Sequence, residues 1–192
     1  MKEYKLPIGC DVPETIILAD GDFPSHPLAL EWLRQCPYVV CCDGAANTYI
    51  RSGRMPEAIV GDGDSLLPDI KERYASLIHS EAEQETNDLS KAFRFCLSQE
   101  RKRITIMGAT GKREDHTIGN VSLLADYMEQ AEVSMMTDYG IFVPIREDSM
   151  FESYIGQQIS VFNMNSTALS AEGLAYPLSV FTNWWQGTLN EA

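Results

Sequence analysis

The stretch AIVGDGDS, residues 58–65, holds the clearest structural signal in this chain. Its first three residues are apolar and typical of a short strand, and Asp62 and Asp64 follow directly. Glycines at positions 61 and 63 allow the backbone to turn tightly and to approach a ligand closely. Because hard carboxylate oxygens suit Mg²⁺, the stretch predicts a strand that ends in a metal site, with a solvated acidic turn as the alternative.

Further strand patterns alternate with helical patterns along the first two thirds of the chain. The apolar runs 15–19, 38–42 and 103–107 lead into Asp20, Asp43 and the loop 108–115 respectively, and residues 77–79 form another short run. Helical patterns lie between them at residues 28–35, 45–53, 68–76, 87–99 and 115–129. This alternation predicts an α/β fold with a mostly parallel sheet and helices on both faces.

The predicted topology brings polar residues to one place. In parallel sheets, ligands bind outside the carboxyl ends of the strands. Asp20, Asp43, Asp62, Asp64 and the loop 108–115 all follow strand ends, so we expect them at one edge of the sheet. Like charges that lie close together repel, and a cation offsets this cost. The sequence therefore predicts a metal-assisted site at this edge.

The pattern changes after Tyr139. The runs 141–145, 150–154, 159–162 and 173–178 are short and divided by polar turns, which is typical of antiparallel β structure. We therefore expect an α/β catalytic domain at 1–139 and a small antiparallel β domain at 140–192. About fifty residues seldom bury enough surface to fold alone. With the aromatic residues Phe151, Tyr154, Phe162, Trp184 and Trp185, this segment predicts a homodimer.

Composition excludes several classes of function. The chain has 28 acidic and 15 basic residues and a formal net charge of -13, which argues against a nucleic acid or an anionic membrane as the main partner. The five cysteines lack metal-type spacing, and we expect reduced thiols. The first residues contain no apolar signal region, and no run is long enough for a membrane span. We therefore expect the protein in the cytoplasm.

The loop GATGKR, residues 108–113, suggests phosphate binding. It is not a P-loop, because that motif needs glycine at position 106 and a hydroxyl at 113, where Ile106 and Arg113 stand. Its glycines free backbone N–H groups, and Lys112 and Arg113 are cations, so it can still hold phosphate. An ordinary strand-to-helix turn is the alternative. His116, taken alone, suits a capping or packing role more than catalysis.

Taken together, these segments resemble the thiamine pyrophosphokinase family over residues 14–192. The similar segments are Cys42–Asn47, Gly61–Ser65, Gln84–Ala92, Gly111–Asn120, Gly173–Leu178 and Gly187–Glu191. The chain departs from many relatives at Glu85 and Asn87, where they carry Asp and Thr, and at Tyr176, where some carry Trp. It also ends before the final strands usual in the family, so a shortened β domain is one interpretation.

The resemblance implies transfer of a diphosphate from ATP to the hydroxyl of thiamine. It also implies an α/β catalytic domain, a β-sandwich domain, and a homodimer that binds thiamine near the subunit interface. Asp62, Asp64 and Asp88 are the expected Mg²⁺ ligands, and Asp43, Asp88 and Asp115 are the candidates for the catalytic base. The expected ATP and phosphate contacts are Gln84, Thr110, Gly111, Lys112, Arg113, His116 and Asn120, and the expected thiamine contacts are Ser170, Tyr176 and Asn190.

Two other functions remain open from the residues alone. The same carboxylates could activate water, which would give a metal-dependent nucleotide phosphohydrolase. The acidic edge could also bind cations without any catalysis. These alternatives differ in whether ATP is consumed and in whether thiamine is needed.

Overall fold

The computed structural model describes residues 1–7, 11–81, 85–164, 166, 169–178 and 190–192. The chain forms two compact units. The larger unit spans Ile8–Arg146, and the smaller unit combines Met1–Pro7 with Glu147–Ala192. The functional domains expected from the sequence, 1–139 and 140–192, stay a prediction.

The first strand, β1 (Lys2–Tyr4), belongs to the smaller unit. The strands of the larger unit are β2 (Thr15–Leu18), β3 (Val39–Cys42), β4 (Ala58–Gly61), β5 (Ile78–Ser80), β6 (Arg103–Met107), β7 (Glu132–Met136) and β8 (Ile141–Phe142). Its helices are α1 (Pro27–Gln35), α2 (Ala45–Arg51), α3 (Pro68–Arg73), α4 (Asp88–Ser98), α5 (Glu114–Ser122) and α6 (Leu124–Tyr127), with a 3-10 turn at Ala75–Leu77.

One sheet organises the larger unit. Its strand order is β5-β4-β3-β2-β6-β7-β8, and every neighbouring pair is parallel except β7 and β8, which are antiparallel. The strand order reverses direction between β2 and β6, so the loops after these strands diverge at one edge. We call the edge where the parallel strands end the carboxyl edge. This arrangement confirms the predicted fold class.

The sheet carries a hydrophobic core on each face. One core packs α4 and α6 against strand residues such as Val40 and Ile106, and the other packs α1, α2 and α3 against residues such as Val39 and Ile16. Cys41 and Cys42 lie in different cores, because successive side chains of a strand point to opposite faces. Both thiols are buried and unpaired, and burial raises the pKa of each. Helices therefore cover both faces, as predicted.

The predicted helix 115–129 is divided into α5 and α6. Leu123, between them, keeps α-helical dihedral angles, but Asp126 N bonds to Leu123 O, three residues earlier. The chain therefore tightens into a 3-10-like step between the two helices. This local change is why one helical pattern gives two helices.

Strand β7 was not predicted. Its sequence EVSMM contains one β-branched residue, and methionine and glutamate are poor strand signals. Pairing with β6 along its whole length and burial of Val133, Met135 and Met136 stabilise it in the sheet. Tertiary packing therefore outweighs the weak local preference.

The smaller unit contains two short strand pairs in its described residues. β9 (Ser149–Phe151) pairs in parallel with β1, and the rings of Tyr4 and Phe151 stack at 4.6 Å. β10 (Gln158–Ile159) pairs with β11 (Asn190–Glu191) in antiparallel fashion. The antiparallel pair agrees with the prediction, whereas the pairing of the N-terminal residues was not foreseen. Residues 173–178, predicted as a strand, contain none, and Trp184 and Trp185 lie outside the described residues.

None of the helices in the described parts of the chain is long and apolar enough to cross a membrane.

Candidate active site

Three aspartates meet at the carboxyl edge of the sheet. Asp43 follows β3, and Asp62 and Asp64 follow the neighbouring strand β4. Each offers a carboxylate oxygen, and these oxygens lie within 4.8 Å of one another. Two ligands on opposite sides of Mg²⁺ are about 4.2 Å apart, since each lies about 2.1 Å from the ion. The cluster therefore has the size and ligand type of a divalent-cation site.

Asp43 is the buried member of this cluster, with only 3% of its surface exposed. Its Oδ2 accepts a hydrogen bond from Ser65 N at 3.0 Å, whereas its Oδ1 is buried and has no hydrogen-bond partner among the described residues. Burial raises the pKa of the Asp43 carboxyl, the Ser65 N–H opposes the rise, and the carboxyls of Asp64 and Asp88 add to it. A cation would satisfy the unpartnered oxygen and offset the repulsion, so these residues fit a metal ion.

The loop that carries the other two aspartates is held by hydrogen bonds. Asp64 N donates to Asp62 Oδ1 at 3.2 Å, which closes a local turn. The Asn47 amide donates to Ser65 O at 2.8 Å and accepts from Leu67 N at 3.0 Å. Helix α2 therefore fixes the loop through Asn47.

Asp88 lies beside the cluster as the first residue of α4. A Cβ atom on Gly61 would come within 3.4 Å of Asp88 Cγ, so the carboxylate lies against the backbone at the end of β4. Lys91 Nζ donates to Asp88 Oδ1 at 3.1 Å, and the Lys91 side chain is 3% exposed. The structure thus brings Asp88 next to Asp43, although the compact group of three oxygens does not include it.

The cations of the predicted phosphate loop already have partners. Lys112 Nζ donates to the carbonyl and the carboxylate of Asp20, at 2.9 and 3.0 Å. Arg113 binds the Asp115 carboxylate through two hydrogen bonds, and this pairing lowers the pKa of Asp115. Both pairs are more than 45% exposed, so an incoming phosphate can compete for the cations. His116 is exposed as well.

Thr110 and Gly111 lie in the same loop, which is tied to the loop after β2. Gly21 N donates to Gly108 O at 2.6 Å, and Asp22 N donates to Thr110 O at 2.8 Å. Beside these loops a small cleft of about 80 Å³ opens at the ends of β2, β6 and β7. Its lining residues are Asp22, Pro24, Gly108, Thr110, Met136, Thr137, Asp138 and Tyr139.

Asn120 is buried rather than open to a ligand, with 8% of its surface exposed. Its Nδ2 donates to Ala109 O at 2.8 Å, and its Oδ1 accepts from Asn87 Nδ2 at 3.1 Å. Direct nucleotide binding by Asn120 stays a prediction. Gln84 lies outside the described residues.

The expected thiamine contacts lie in the smaller unit. Asn190 is 7% exposed, and its amide accepts from Tyr176 N at 3.0 Å and donates to Tyr176 O at 2.7 Å. The Tyr176 residue is 61% exposed, and Ser170 is exposed. The structure therefore joins Asn190 to Tyr176 through the main chain, which leaves the tyrosine ring accessible.

Sequence reasoning missed several supporting residues. Lys71 Nζ donates to Gly63 O at 2.7 Å, and the pairings of Lys91 with Asp88 and of Lys112 with Asp20 were not predicted. The spacing of Asp88 and Lys91, three apart on a helix, is a usable signal for an ion pair. Lys71 lies eight residues after Gly63, and Lys112 lies 92 residues after Asp20, so neither contact follows a helical spacing that a single sequence would reveal.

Comparisons with known proteins agree with this arrangement. The family model of the catalytic domain of thiamin pyrophosphokinase matches residues 29–136, and the model of its substrate-binding domain matches residues 140–192. The chain is 30% identical over 129 residues to thiamine pyrophosphokinase 1 of Oryza sativa subsp. japonica, covering 54% of this chain and 49% of that protein. It is 34% identical over 86 residues to thiamine pyrophosphokinase of Bacillus subtilis, covering 43% of this chain and 40% of that protein.

Solved structures show the same fold. Thiamin pyrophosphokinase from Candida albicans superposes with a TM-score of 0.73 at 19% identity, covering 99% of this chain and 84% of that chain. The enzyme from Geobacillus thermodenitrificans gives a TM-score of 0.61 at 22% identity, covering 92% and 87%. The chain spans about half the length of the curated relatives it matches. Because the catalytic-domain model alone covers more than half of its residues, the chain belongs to the thiamin pyrophosphokinase family.

Proposed function

We propose that this chain transfers the diphosphate of ATP to the hydroxyl of thiamine, giving thiamine diphosphate and AMP. The observation that carries this proposal is the cluster of Asp43, Asp62 and Asp64, with its buried unpartnered oxygen, in a chain of this family. The thiamine hydroxyl oxygen bonds to the β-phosphorus of ATP, and the bond from that phosphorus to the oxygen bridging the α- and β-phosphates breaks. AMP leaves with the bridging oxygen.

Mg²⁺ is the proposed ion, because all candidate ligands are carboxylates. Asp62, Asp64 and Asp43 would hold it, and Asp88, which lies beside Asp43 at the end of β4, is the further candidate ligand. When bound, the ion would neutralise charge on the ATP phosphates. The protein supplies the positions of the phosphates and of the hydroxyl, and such positioning accounts for most of this kind of catalysis.

The proton of the thiamine hydroxyl needs an acceptor. Asp88 is the proposed one, since it lies at the edge of the cluster and Lys91 holds it in place. Asp43 has a raised pKa, which suits a base, but it is buried within the cluster. Asp115 is less suited, because its bond to Arg113 lowers its pKa and so weakens it as a base.

The loop 108–113 is the proposed phosphate clamp. Lys112 and Arg113 would exchange their exposed carboxylate partners for phosphate oxygens, which also accept charge-assisted hydrogen bonds. Thr110, Gly111, His116, Asn120 and Gln84 complete the set of ATP and phosphate contacts proposed from the sequence. Ser170, Tyr176 and Asn190 in the smaller unit are the proposed thiamine contacts.

A homodimer through the smaller unit is also proposed. Exposed apolar side chains support it: Met150, Phe151, Tyr154, Ile155, Phe162 and Met164 each have more than 40% of their surface exposed. A dimer in light scattering at micromolar protein is the expected result, and a monomer would contradict the proposal.

The cytoplasm is the proposed location, which the unpaired thiols at 36, 41, 42 and 96 support.

The deciding experiment mixes the purified protein with ATP, MgCl₂ and thiamine and follows AMP and thiamine diphosphate. EDTA should abolish the reaction, and Asp64→Ala should lower kcat by at least ~100-fold, as removal of a key electrostatic group does. Asp69→Ala, an exposed aspartate in α3, is the matched control and should keep full activity.

Three outcomes would contradict the proposal. Release of phosphate or diphosphate without thiamine would indicate a phosphohydrolase. Metal binding without ATP turnover would indicate a cation-binding module. Near-normal turnover by Asp64→Ala would remove the metal role of the cluster.

A further inference from the structure

We propose that the side-chain amides of Asn87 and Asn120 form a positioning link between the metal cluster and the phosphate loop. The link fixes the start of α4, which carries Asp88, relative to the loop after β6. It rests on the proposed function, since it assigns how two parts of that site keep their spacing. Neither asparagine needs to touch the substrate for this role.

Asn87 forms the first half of the link. It is the N-cap of α4, and its Oδ1 accepts a hydrogen bond from Ser90 N at 2.9 Å. This cap orders the first turn of the helix. Because Asp88 is the next residue, the backbone of Asp88 is fixed by the same cap. The Asn87 Nδ2 remains available and donates to Asn120 Oδ1 at 3.1 Å.

Asn120 forms the second half. Its Nδ2 donates to Ala109 O at 2.8 Å. Ala109 follows the strand β6 and directly precedes the residues proposed to bind phosphate. A single chain of hydrogen bonds therefore runs from Ser90 N through Asn87 and Asn120 to Ala109 O. It spans α4, α5 and the loop after β6.

The burial pattern of α5 makes this link important. The structure describes every residue of α5, Glu114–Ser122, and only Asn120 is buried among them. Ile118 is exposed and Val121 is only partly buried against a core, so the amide link contributes much of what holds α5 in place. A buried amide that keeps its partners is also costly to disrupt, because each lost partner leaves a desolvated polar group. The geometry thus favours one fixed spacing of Asp88 and the phosphate loop.

The first test is Asn87→Ser. Serine caps a helix about as well as asparagine, but its short hydroxyl cannot reach Asn120. Loss of such a supporting contact typically weakens metal affinity or activity by about 10- to 100-fold. We expect kcat to fall about tenfold or more and Mn²⁺ affinity, measured by electron paramagnetic resonance without substrates, to weaken by about tenfold. The melting temperature should fall by about 2–12 °C, the range for leaving one buried polar group without its partner in a chain of this size.

Ser90→Ala is the matched control. It removes the hydrogen bond between Ser90 Oγ in α4 and Tyr127 OH in α6 but leaves the Asn87 cap and the link intact. It should lower the melting temperature by a similar amount and leave kcat and Mn²⁺ affinity within about twofold of wild type. If Asn87→Ser loses no more kcat and no more Mn²⁺ affinity than Ser90→Ala, the pair is only structural and the proposal fails.

A double-variant cycle provides a second test. Asn120→Ala breaks the link at its centre, so adding Asn87→Ser should cause little further loss of Mn²⁺ affinity. If the two substitutions instead weaken Mn²⁺ affinity independently, so that their fold losses multiply, the link is refuted. If Asn120→Ala does not fold, the comparison of Asn87→Ser with Ser90→Ala still tests the link. The Mn²⁺ titration also separates the two proposals: a wild-type protein that makes no thiamine diphosphate refutes the proposed function, while the metal affinities still report on the link.

Discussion

A Cβ atom on Gly61 would lie 2.8 Å from the Cβ of Asp43. The ends of β3 and β4 therefore approach each other more closely than any side chain at position 61 permits. Gly61 also has a φ of +155°, at the limit of the region that favours glycine. This close approach is what brings the carboxylates that follow the two strands into one cluster.

Gly61→Ala should therefore damage the site more than the fold. The new methyl group must displace Asp43, and a displacement of about 1 Å at a reacting site can cost about 100-fold in rate. We expect kcat to fall by about that factor and the free energy of unfolding to fall by about 1–3 kcal/mol. Gly119→Ala is the control, since a Cβ there meets nothing within 4 Å and alanine favours the helix. Full activity in Gly61→Ala would contradict the role of this contact.

The raised pKa of Asp43 makes stability depend on pH in a defined direction. Burial makes the folded protein hold this proton more tightly than the unfolded chain does. Stability should therefore fall as the pH rises from the ordinary aspartate pKa through the raised one, and the loss is complete above it. In EDTA at neutral pH, Asp43→Asn should melt higher than wild type, because it removes the buried charge. Asparagine also tolerates the φ of +31° at this position.

With Mg²⁺ in place of EDTA, wild type should melt at a higher temperature than Asp43→Asn. The ion should raise the melting temperature of wild type and leave Asp43→Asn nearly unchanged, which scanning calorimetry with and without EDTA can measure. Asp138→Asn is the control. Hydrogen bonds from Ser25 and His26 lower the pKa of Asp138, so its charged carboxylate stabilises the folded protein, whereas that of Asp43 destabilises it. The stabilising contribution of Asp138 is present above the ordinary aspartate pKa and is lost as the pH falls through the lowered one. Equal metal responses in wild type and Asp43→Asn would contradict a metal site at Asp43.

The sequence predicted the sheet and the meeting of the aspartates for one physical reason. Parallel strands end at one edge, so Asp43, Asp62 and Asp64 had to lie together once the strands were identified. A helix start at Asn87 or Asp88 is likewise visible in the sequence, because asparagine and aspartate before a helical pattern are strong start signals. Such features depend on neighbours in the sequence.

Features that depend on distant partners could not be predicted. The burial of Asn120 and its bonds to Asn87 and Ala109 join three segments, and no local pattern encodes them. Strand β7 forms because β6 lies beside it, and β1 pairs with β9, which follows it by more than 140 residues. In each case the deciding energy comes from packing or pairing across the chain.

Lys112 offers a test of phosphate binding that separates charge from backbone strain. It has a φ of +58°, which costs a residue other than glycine about 1–2 kcal/mol. Lys112→Gly relieves this strain and removes the exposed ion pair with Asp20, so we expect a melting temperature close to that of wild type. The KM for ATP should rise by about tenfold or more, because a hydrogen bond to a charged group contributes about 1.5–3 kcal/mol.

Asp20→Asn is the companion variant to Lys112→Gly. It weakens the competing partner of Lys112, so the KM for ATP should fall or stay the same in steady-state assays. An unchanged KM in Lys112→Gly, or a tenfold rise in Asp20→Asn, would exclude Lys112 as a phosphate contact.

The thiamine site can be tested at Tyr176 and at the residue that holds its backbone. A flat thiazolium cation suits an accessible aromatic ring, and the contact contributes about 0.5–2 kcal/mol. Tyr176→Ala should therefore raise the KM for thiamine by no more than roughly 30-fold and leave the KM for ATP nearly unchanged. Tyr176→Phe should be almost silent if the ring face is what thiamine contacts.

Asn190→Ala provides the second half of this test. It removes both hydrogen bonds to the Tyr176 main chain, so the ring loses its fixed position although it is still present. We expect the KM for thiamine to rise in this variant as well. In the double variant with Tyr176→Ala the two losses should combine to less than their product, because Asn190 acts partly through the Tyr176 ring and partly as a thiamine contact of its own. Steady-state kinetics with thiamine and ATP varied separately will measure this. If Tyr176→Ala weakens ATP and thiamine equally, or neither, then Tyr176 is not part of a thiamine-specific pocket.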